Sequence, residues 1–448
     1  MKWFQGVNLC LVNVLRLCFL MVLVWPLLSQ SVLAALPGQV MVDPSTKAWL
    51  VYNRDSNKDG RLDPAFVCGP GDPENFLYRG ARNQDGTRSG DQQALINNMI
   101  SHKVNSIYFQ VIRSHGGDGD ASHNPYINSD PANLLDEDIM QQWDAWFAAM
   151  DSAGIIMYFF IYDDSAGIWS GDTVGVEESY LITTLVNRYK NLKNLVWVVA
   201  EEYSEKHSAT RISNIASLIK STDDNKHVVA NHQLNGLTFD HANDPNIEQF
   251  AIQYNNTTID GLHNGMVDAW NLANGRYSIN MSESKDHGIG TREVVRQKNW
   301  AIAMGGAYVM VIKMDGTSAY NEKMDDCAVL AGFFESTDFN TMEPDDELGN
   351  TGTWVLAKPG QSYILYRMSS GNFTLSGLQA GTYHLRWLDT VTGVIAEQSS
   401  SVSIGTNTFT RPAGVGTEAA VWITKKTSSE PQTRPVLPSI LYLLNLTP

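Results

Sequence analysis

Between residues 76 and 335 short apolar runs alternate with amphipathic segments of helical period. Runs such as Asn105–Ile112, Gly154–Ile161 and Leu195–Ala200 are rich in valine, isoleucine and aromatics. They lack strict apolar/polar alternation, which marks strands buried on both faces. Eight strands are predicted: Phe76–Gly80, Asn105–Ile112, Gly154–Ile161, Leu195–Ala200, His227–Asn231, Gln249–Gln253, Tyr277–Met281 and Ala307–Ile312. Helices are predicted between and after them, at Gln92–Ser101, Leu134–Ala153, Val176–Lys190, Ser208–Ser221, Met266–Ala273, Val294–Met304 and Asp326–Glu335. Strand–helix repetition of this kind builds a parallel sheet, and eight repeats predict an α/β fold of the (β/α)8 TIM-barrel type over 76–345. A doubly wound open sheet is the competing architecture. No G-x-G-x-x-G or phosphate-loop sequence follows any strand to favour it.

The rest of the chain divides around this block. Residues 1–34 read as a signal peptide, with Lys2 and Arg16 as the only charges, an apolar run from Leu17 to Leu28 and small residues near Ala34. That predicts a secreted or periplasmic protein with no stable membrane insertion once the signal is removed. Residues 35–75 read as a loop-rich segment. Within it, Asp55, Asn57, Asp59 and Asp63 stand at the spacing of calcium-loop ligands, with Gly60 at the turn. Phe66 stands where a bidentate glutamate would close such a loop. Two readings therefore fit: a one-sided structural calcium site and a plain turn of Asx type. From 350 to 425 short alternating strands separated by Gly and Pro predict a small antiparallel β-sandwich. The tail, 426–448, is Ser/Pro-rich and then weakly apolar. With the signal removed, Cys68 and Cys327 are the remaining cysteines. They pair if the first and last barrel strands adjoin, and are buried thiols otherwise. The net charge of −16 argues against nucleic acid as a partner.

Polar residues gather where the predicted strands end. The first strand ends at Arg79, and the second leads into Arg113 and His115. The third gives Asp163 and Asp164, with Trp169 behind, and the fourth gives Glu201, Glu202 and Tyr203. His232 follows the fifth, Gln253 and Tyr254 the sixth, Glu283 the seventh, and Lys313 and Asp315 the eighth. The carboxyl ends of barrel strands are where this fold places catalysis. Two carboxylates facing each other across such a mouth can hydrolyse a glycosidic bond, one donating a proton and the other attacking the anomeric carbon or activating water. Nothing in that chemistry requires a cofactor. The absence of G-x-S-x-G and H-E-x-x-H argues against serine-hydrolase and zinc-protease chemistry.

Side chains alternate along a strand, so only one of Glu201 and Glu202 is expected to point into the mouth. A resemblance bears on the choice. Trp197 followed five residues later by Glu202, and Ser282-Glu283 at the seventh strand, resemble apiosidase-like (β/α)8 glycoside hydrolases of the retaining barrel clan. That likeness implies Glu202 as acid/base, Glu283 as nucleophile and a poly- or oligosaccharide substrate. The polar and aromatic groups gathered at the strand ends give the expected substrate contacts: Arg79, Arg113, His115, Asp163, Asp164, Trp169, Glu201, Tyr203, His232, Gln253 and Tyr254. Glu201 departs from the family, where Gly or Asn is usual. Tyr363–Tyr366, the turn Trp387–Gly393 and Val421-Trp422 are similar to the collagen-binding-type domain of a collagenase that trails such barrels. A second function class stays open: a non-catalytic carbohydrate- or matrix-binding protein using the barrel as a platform.

Overall fold

The structure, a computed structural model, describes residues 35–72, 75–114 and 123–426. The expected signal peptide, His115 and nearly all of the tail lie outside them. The chain first forms three short antiparallel strands, β1 (Val40–Val42), β2 (Leu50–Tyr52) and β3 (Asp63–Ala65), in a segment read from sequence as loop. Eight parallel strands follow: β4 (Cys68–Pro70), β5 (Ser106–Ile112), β6 (Ile156–Tyr162), β7 (Leu195–Ala200), β8 (Val228–Gln233), β9 (Gln249–Gln253), β10 (Ser278–Glu283) and β11 (Tyr308–Val311). Their hydrogen-bonded order runs β4-β11-β10-β9-β8-β7-β6-β5, as a barrel requires. Seven long helices cover the outside: α1 (Gln92–Ser101), α2 (Glu137–Ser152), α3 (Val176–Tyr189), α4 (Ala209–Thr222), α5 (Ile259–Ala273), α6 (Arg292–Met304) and α7 (Asn321–Glu335).

The first barrel strand is not where sequence placed it. Phe76–Tyr78 is a buried turn of 3-10 helix, and the strand is Cys68-Gly69-Pro70. An apolar run of three or four residues fits either state, whereas Gly and Pro argue against a strand. The reason for glycine is steric. A β-carbon at Gly69 would lie 2.3 Å from the carbonyl oxygen of Ser106 and 2.4 Å from its hydroxyl. That close approach brings β4 against β5, the two ends of the hydrogen-bonded order. Asn105 clamps the seam, accepting from the Cys68 N–H at 3.0 Å and donating to the Phe66 carbonyl. Cys68 is bonded to Cys327 of α7 across a sequence separation of 259 residues.

The N-terminal strands lie at the amino ends of the barrel strands. Val40 N–H donates to the Lys193 carbonyl just before β7, and Gln39 to the Asn225 carbonyl just before β8. Leu50 N–H donates to the hydroxyl of Tyr308, the first residue of β11. Trp49 packs its ring 5.6 Å from that of Tyr308. The barrel is thus covered at this end, and its carboxyl ends form the mouth.

After the barrel come β12 (Glu343–Pro344), β13 (Trp354–Lys358), β14 (Ser362–Arg367), β15 (Phe373–Leu378), β16 (Gly381–Asp389), β17 (Ile395–Val402), β18 (Gly405–Phe409) and β19 (Ala419–Lys425). A six-stranded antiparallel sheet, β12-β13-β14-β19-β16-β17, faces the pair β15-β18. Strand period two divides this sheet cleanly. Val355, Tyr363, Leu365, Trp387 and Val421 point into a core shared with Phe373 and Phe409. The alternate residues Leu356, Ile364, Tyr366, Leu388 and Ala420 join the core of the barrel. Tyr366 stacks on Trp300 of α6 at 4.8 Å and 4°, and Trp354 on His263 of α5 at 4.2 Å. Between them Glu418 accepts two hydrogen bonds from Arg296 of α6, at 2.9 and 2.8 Å. Tyr366 and Thr390 donate to the same carboxylate.

Two stability outcomes follow. Reducing Cys68–Cys327 removes a crosslink whose loss costs about 2–5 kcal/mol in small domains, so a thermal melt in dithiothreitol shifts down by several degrees, and Cys68→Ala shows no further response to reductant. Arg296→Ala strands the buried Glu418 carboxylate, a loss of about 3–5 kcal/mol. Denaturant titration then shows the C-terminal sheet loosening, with Trp354 and Trp422 fluorescence changing first.

Candidate active site

Two backbone irregularities build the mouth. Along β7 the chain runs straight to Ala200, and Glu201 N–H still bonds the Tyr162 carbonyl of β6, at 3.1 Å. Glu201 is 6 % exposed and points inward. There it accepts from the Tyr108 hydroxyl and the Gln110 amide of β5. Arg113 donates to Gln110 in turn. Glu202 leaves the strand in the left-handed region, at φ 35° and ψ 43°. Its N–H donates to His232 Nδ1 of β8 at 2.9 Å instead of to the ladder. A non-glycine residue held so costs on the order of 1–3 kcal/mol and persists only where surrounding contacts impose it. Alternation alone would turn Glu202 away from Glu201. The left-handed turn lets both reach the mouth.

On the opposite side β10 carries a register shift against β9 between Met281 and Glu283, so that Glu283 pairs with Gln253. A bulge re-aims the side chain that follows it. Gln253 then spans the two acids. Its amide donates to Glu202 Oε1, and its backbone stands opposite Glu283 in the ladder. His232 is 1 % exposed, and burial pushes its imidazole down to about 3. It is therefore neutral. Because Nδ1 accepts from Glu202 N–H, the proton sits on Nε2, which faces Glu283 Oε2 at 4.0 Å.

The two carboxyls sit in different fields. Burial pushes Glu202 up to about 8, with Glu283, Glu205 and Asp164 adding in that order. Carboxylate oxygens of Asp164, Glu202 and Glu205 lie within 4.8 Å of one another. Burial raises Glu283 as well, and Asp164 and Asp72 add to it; Gln253 and the Lys313 ammonium offset this only in part. Near neutral pH the site therefore holds a proton on Glu202, and Gln253 and Lys313 are the groups that work toward the charged form of Glu283.

The expected contacts divide. Glu201, Glu202, Glu283, His232, Gln253, Arg113 and Asp164 come together. Asp163 is buried and accepts from Ser114 N–H at 2.6 Å and Ser165 N–H at 3.1 Å, so it ties the ends of β5 and β6 together. Tyr203 donates to Asp240, flanking the site. Trp169 packs edge-on against Tyr126 and Tyr162, at 6.3 and 6.4 Å. Two of the expected contacts have partners of their own. Arg79 forms a two-pronged ion pair with Asp91, at 2.6 and 2.8 Å. Tyr254 sends its ring into the space left by Gly265 of α5, where a β-carbon would be 2.3 Å from the ring. Sequence reasoning passed over Tyr108, Gln110 and Glu205. Tyr108 and Gln110 stand two apart in an otherwise apolar strand, a period-two signal of one inward face.

The acidic loop Asp55–Asp63 follows β2, at the closed end of the barrel. Asp55 accepts from Asp59 and Gly60 N–H, and Asn57 from Asp59 N–H. Asp63 is taken by Arg54 at 2.9 Å and by Ser56, and Arg61 lies 3.2 Å from Asp59.

No protein-family model matches the chain, and no curated protein matches it in sequence. Solved structures do match. One is a glycoside hydrolase family 5 protein from Bacteroides vulgatus, at 12% identity and TM-score 0.64, covering 91% of this chain and 98% of that one. A second, described as a glycoside hydrolase, matches at 13% identity and TM-score 0.64, covering 88% of this chain and 98% of that one. At such identities the likeness establishes the fold, a (β/α)8 barrel carrying a C-terminal antiparallel sheet.

Proposed function

We propose that the chain is a retaining glycoside hydrolase acting on an oligo- or polysaccharide. The observation that carries the reading is the paired mouth: Glu202 is pushed up to about 8 with Glu283 acting on it, and Gln253 holds Glu202 while standing opposite Glu283 in the ladder. In the first step Glu202 gives its proton to the leaving oxygen as a Glu283 oxygen bonds to the anomeric carbon. In the second, Glu202 takes a proton from water, the water oxygen bonds to that carbon, and Glu283 leaves with its charge restored. Glu201, fixed by Tyr108 and Gln110, and neutral His232 line the place where sugar hydroxyls would lie. The spacing from Trp197 to Glu202 supports the finer apiosidase-like assignment. The sandwich, with both faces of its large sheet buried, acts in this reading as a buttress of the barrel rather than as a collagen-binding module. Export is part of the reading and is supported by the Cys68–Cys327 disulfide, since such bonds persist in oxidising compartments. Calcium is not part of it, because Arg54 and Arg61 already supply positive charge to the Asp55–Asp63 loop.

Glu283→Gln abolishes release of reducing sugar across a panel of plant and bacterial polysaccharides while circular dichroism stays that of the wild type. Binding of glycans by the wild type with no release of product would instead establish the non-catalytic platform. The anomer first seen by proton NMR has the configuration of the substrate, and an inverted product rules out Glu283 as nucleophile. The pH profile carries a sign. Because Glu202 is raised to about 8, its acid form persists through neutrality. The wild-type kcat/KM therefore falls as pH rises through that value. Glu202→Gln loses about 10²–10⁴ in rate on substrates with poor leaving groups and loses that alkaline limb.

A further inference from the structure

Glu283 opens on its far side into a cavity of about 250 Å³ lined by Asn255, Glu283, Lys285, Asp286, Ile312 and Lys313. The groups around this carboxylate are mostly acidic or neutral. Asp164 faces it from the end of β6, Glu202 from β7 and Asp72 from the segment after β4. His232 of β8 is neutral, and Gln253 of β9 carries no charge. Lys285 and Asp286, from the loop after β10, offset one another. Lys313, at the end of β11 with Asp315 beyond it, is the cation whose field acts on Glu283 against the three carboxyls.

Lys313 is placed there by the backbone. It takes φ 66°, the left-handed region, without being glycine. The loop that carries Glu283 closes down on it. Gly288 N–H bonds the Ile312 carbonyl at 2.6 Å, and a β-carbon on Gly288 would lie 2.6 Å from that oxygen and 2.9 Å from the carbonyl carbon of Lys313. Only glycine allows the approach. The clamp joins the loop after Glu283 to the turn at Lys313, so the two move as one piece. Asp72 reaches Lys313 only at 3.9 Å, and the lysine side chain is half exposed, so its charge is not consumed in a tight ion pair.

We infer that Lys313 is a positioning residue for the nucleophile: it shares one small cavity with Glu283, and its ammonium works against the burial and the neighbouring acids that would draw a proton onto that carboxylate. The role rests on the reading of Glu283 as nucleophile, and the two can be tested apart. The full chain is labelled with glutamate carrying ¹³C in the side-chain carboxyl, and the Glu283 resonance is identified by its loss in Glu283→Gln. Its titration is followed in the wild type and in Lys313→Met, Lys313→Gln and Lys313→Arg. The expected result is a midpoint about one pH unit or more higher in both neutral variants and unmoved in Lys313→Arg. The acidic limb of kcat/KM rises by the same interval. At pH values above the new midpoint the neutral variants recover wild-type kcat. An unmoved Glu283 midpoint overturns the inference, whatever happens to rate. A raised KM at all pH values with no shift assigns Lys313 to substrate binding and overturns it too. Unfolding of both neutral variants overturns it as well, because a half-exposed side chain acting only through its charge is not needed for folding. Failure of the wild type to release sugar from any substrate, with the midpoint still moving, removes the hydrolase reading and leaves the electrostatic coupling intact.

Discussion

The closure between β4 and β5 is the constraint on which the rest of the molecule depends. A parallel sheet of eight strands has two edges unless its ends meet, and an exposed edge presents unpaired backbone groups. Here the ends meet over a three-residue strand whose central glycine lies against the Ser106 backbone. Asn105 ties that strand to β5 and Cys327 ties it to α7. The mouth is a product of that closure. Glu201 from β7 reaches Tyr108 and Gln110 of β5, Glu202 binds through its backbone to β8, and Glu283 pairs with β9. Each bond is between different strands, so the mouth belongs to the assembled sheet and not to any one strand.

Much of this was legible in sequence, because most barrel strands are buried on both faces and leave an apolar imprint. The strands from β5 to β11 lie within a residue or two of their expected places. The first does not, because Cys-Gly-Pro carries no apolar pattern and is selected by a steric contact from a strand far along the chain. The polar strands β17 and β18 were also invisible. Each has one side exposed to water and a polar middle, Glu-Gln-Ser-Ser-Ser in one and Thr-Asn-Thr in the other, so turns and strands look alike there.

At the site the sequence named a pair of acids but not their geometry. The spacing from Trp197 singled out Glu202, and strand alternation predicted that only one of Glu201 and Glu202 would enter the mouth. The left-handed backbone of Glu202 is imposed by His232 from another strand, so local propensity holds no sign of it. Arg79 and Tyr254 have partners that strand position does not reveal: Asp91 for the guanidinium and the gap at Gly265 for the ring. Lys313 was visible as a residue and silent as a role, since only the approach of Gly288 shows what it is held against.

The large C-terminal sheet has a consequence for how the chain can be divided. Its barrel-facing residues, Tyr366 and Trp354 among them, occupy the same core as α5 and α6, and the Arg296–Glu418 pair sits within that seam. The sequence boundary near residue 350 is therefore a change of architecture, not a hinge. Cutting there would leave an aromatic wound on each fragment: Trp300 and His263 on one, Tyr366 and Trp354 on the other. The barrel and its sheet are a single inheritable unit, to be expressed, grafted or exchanged together.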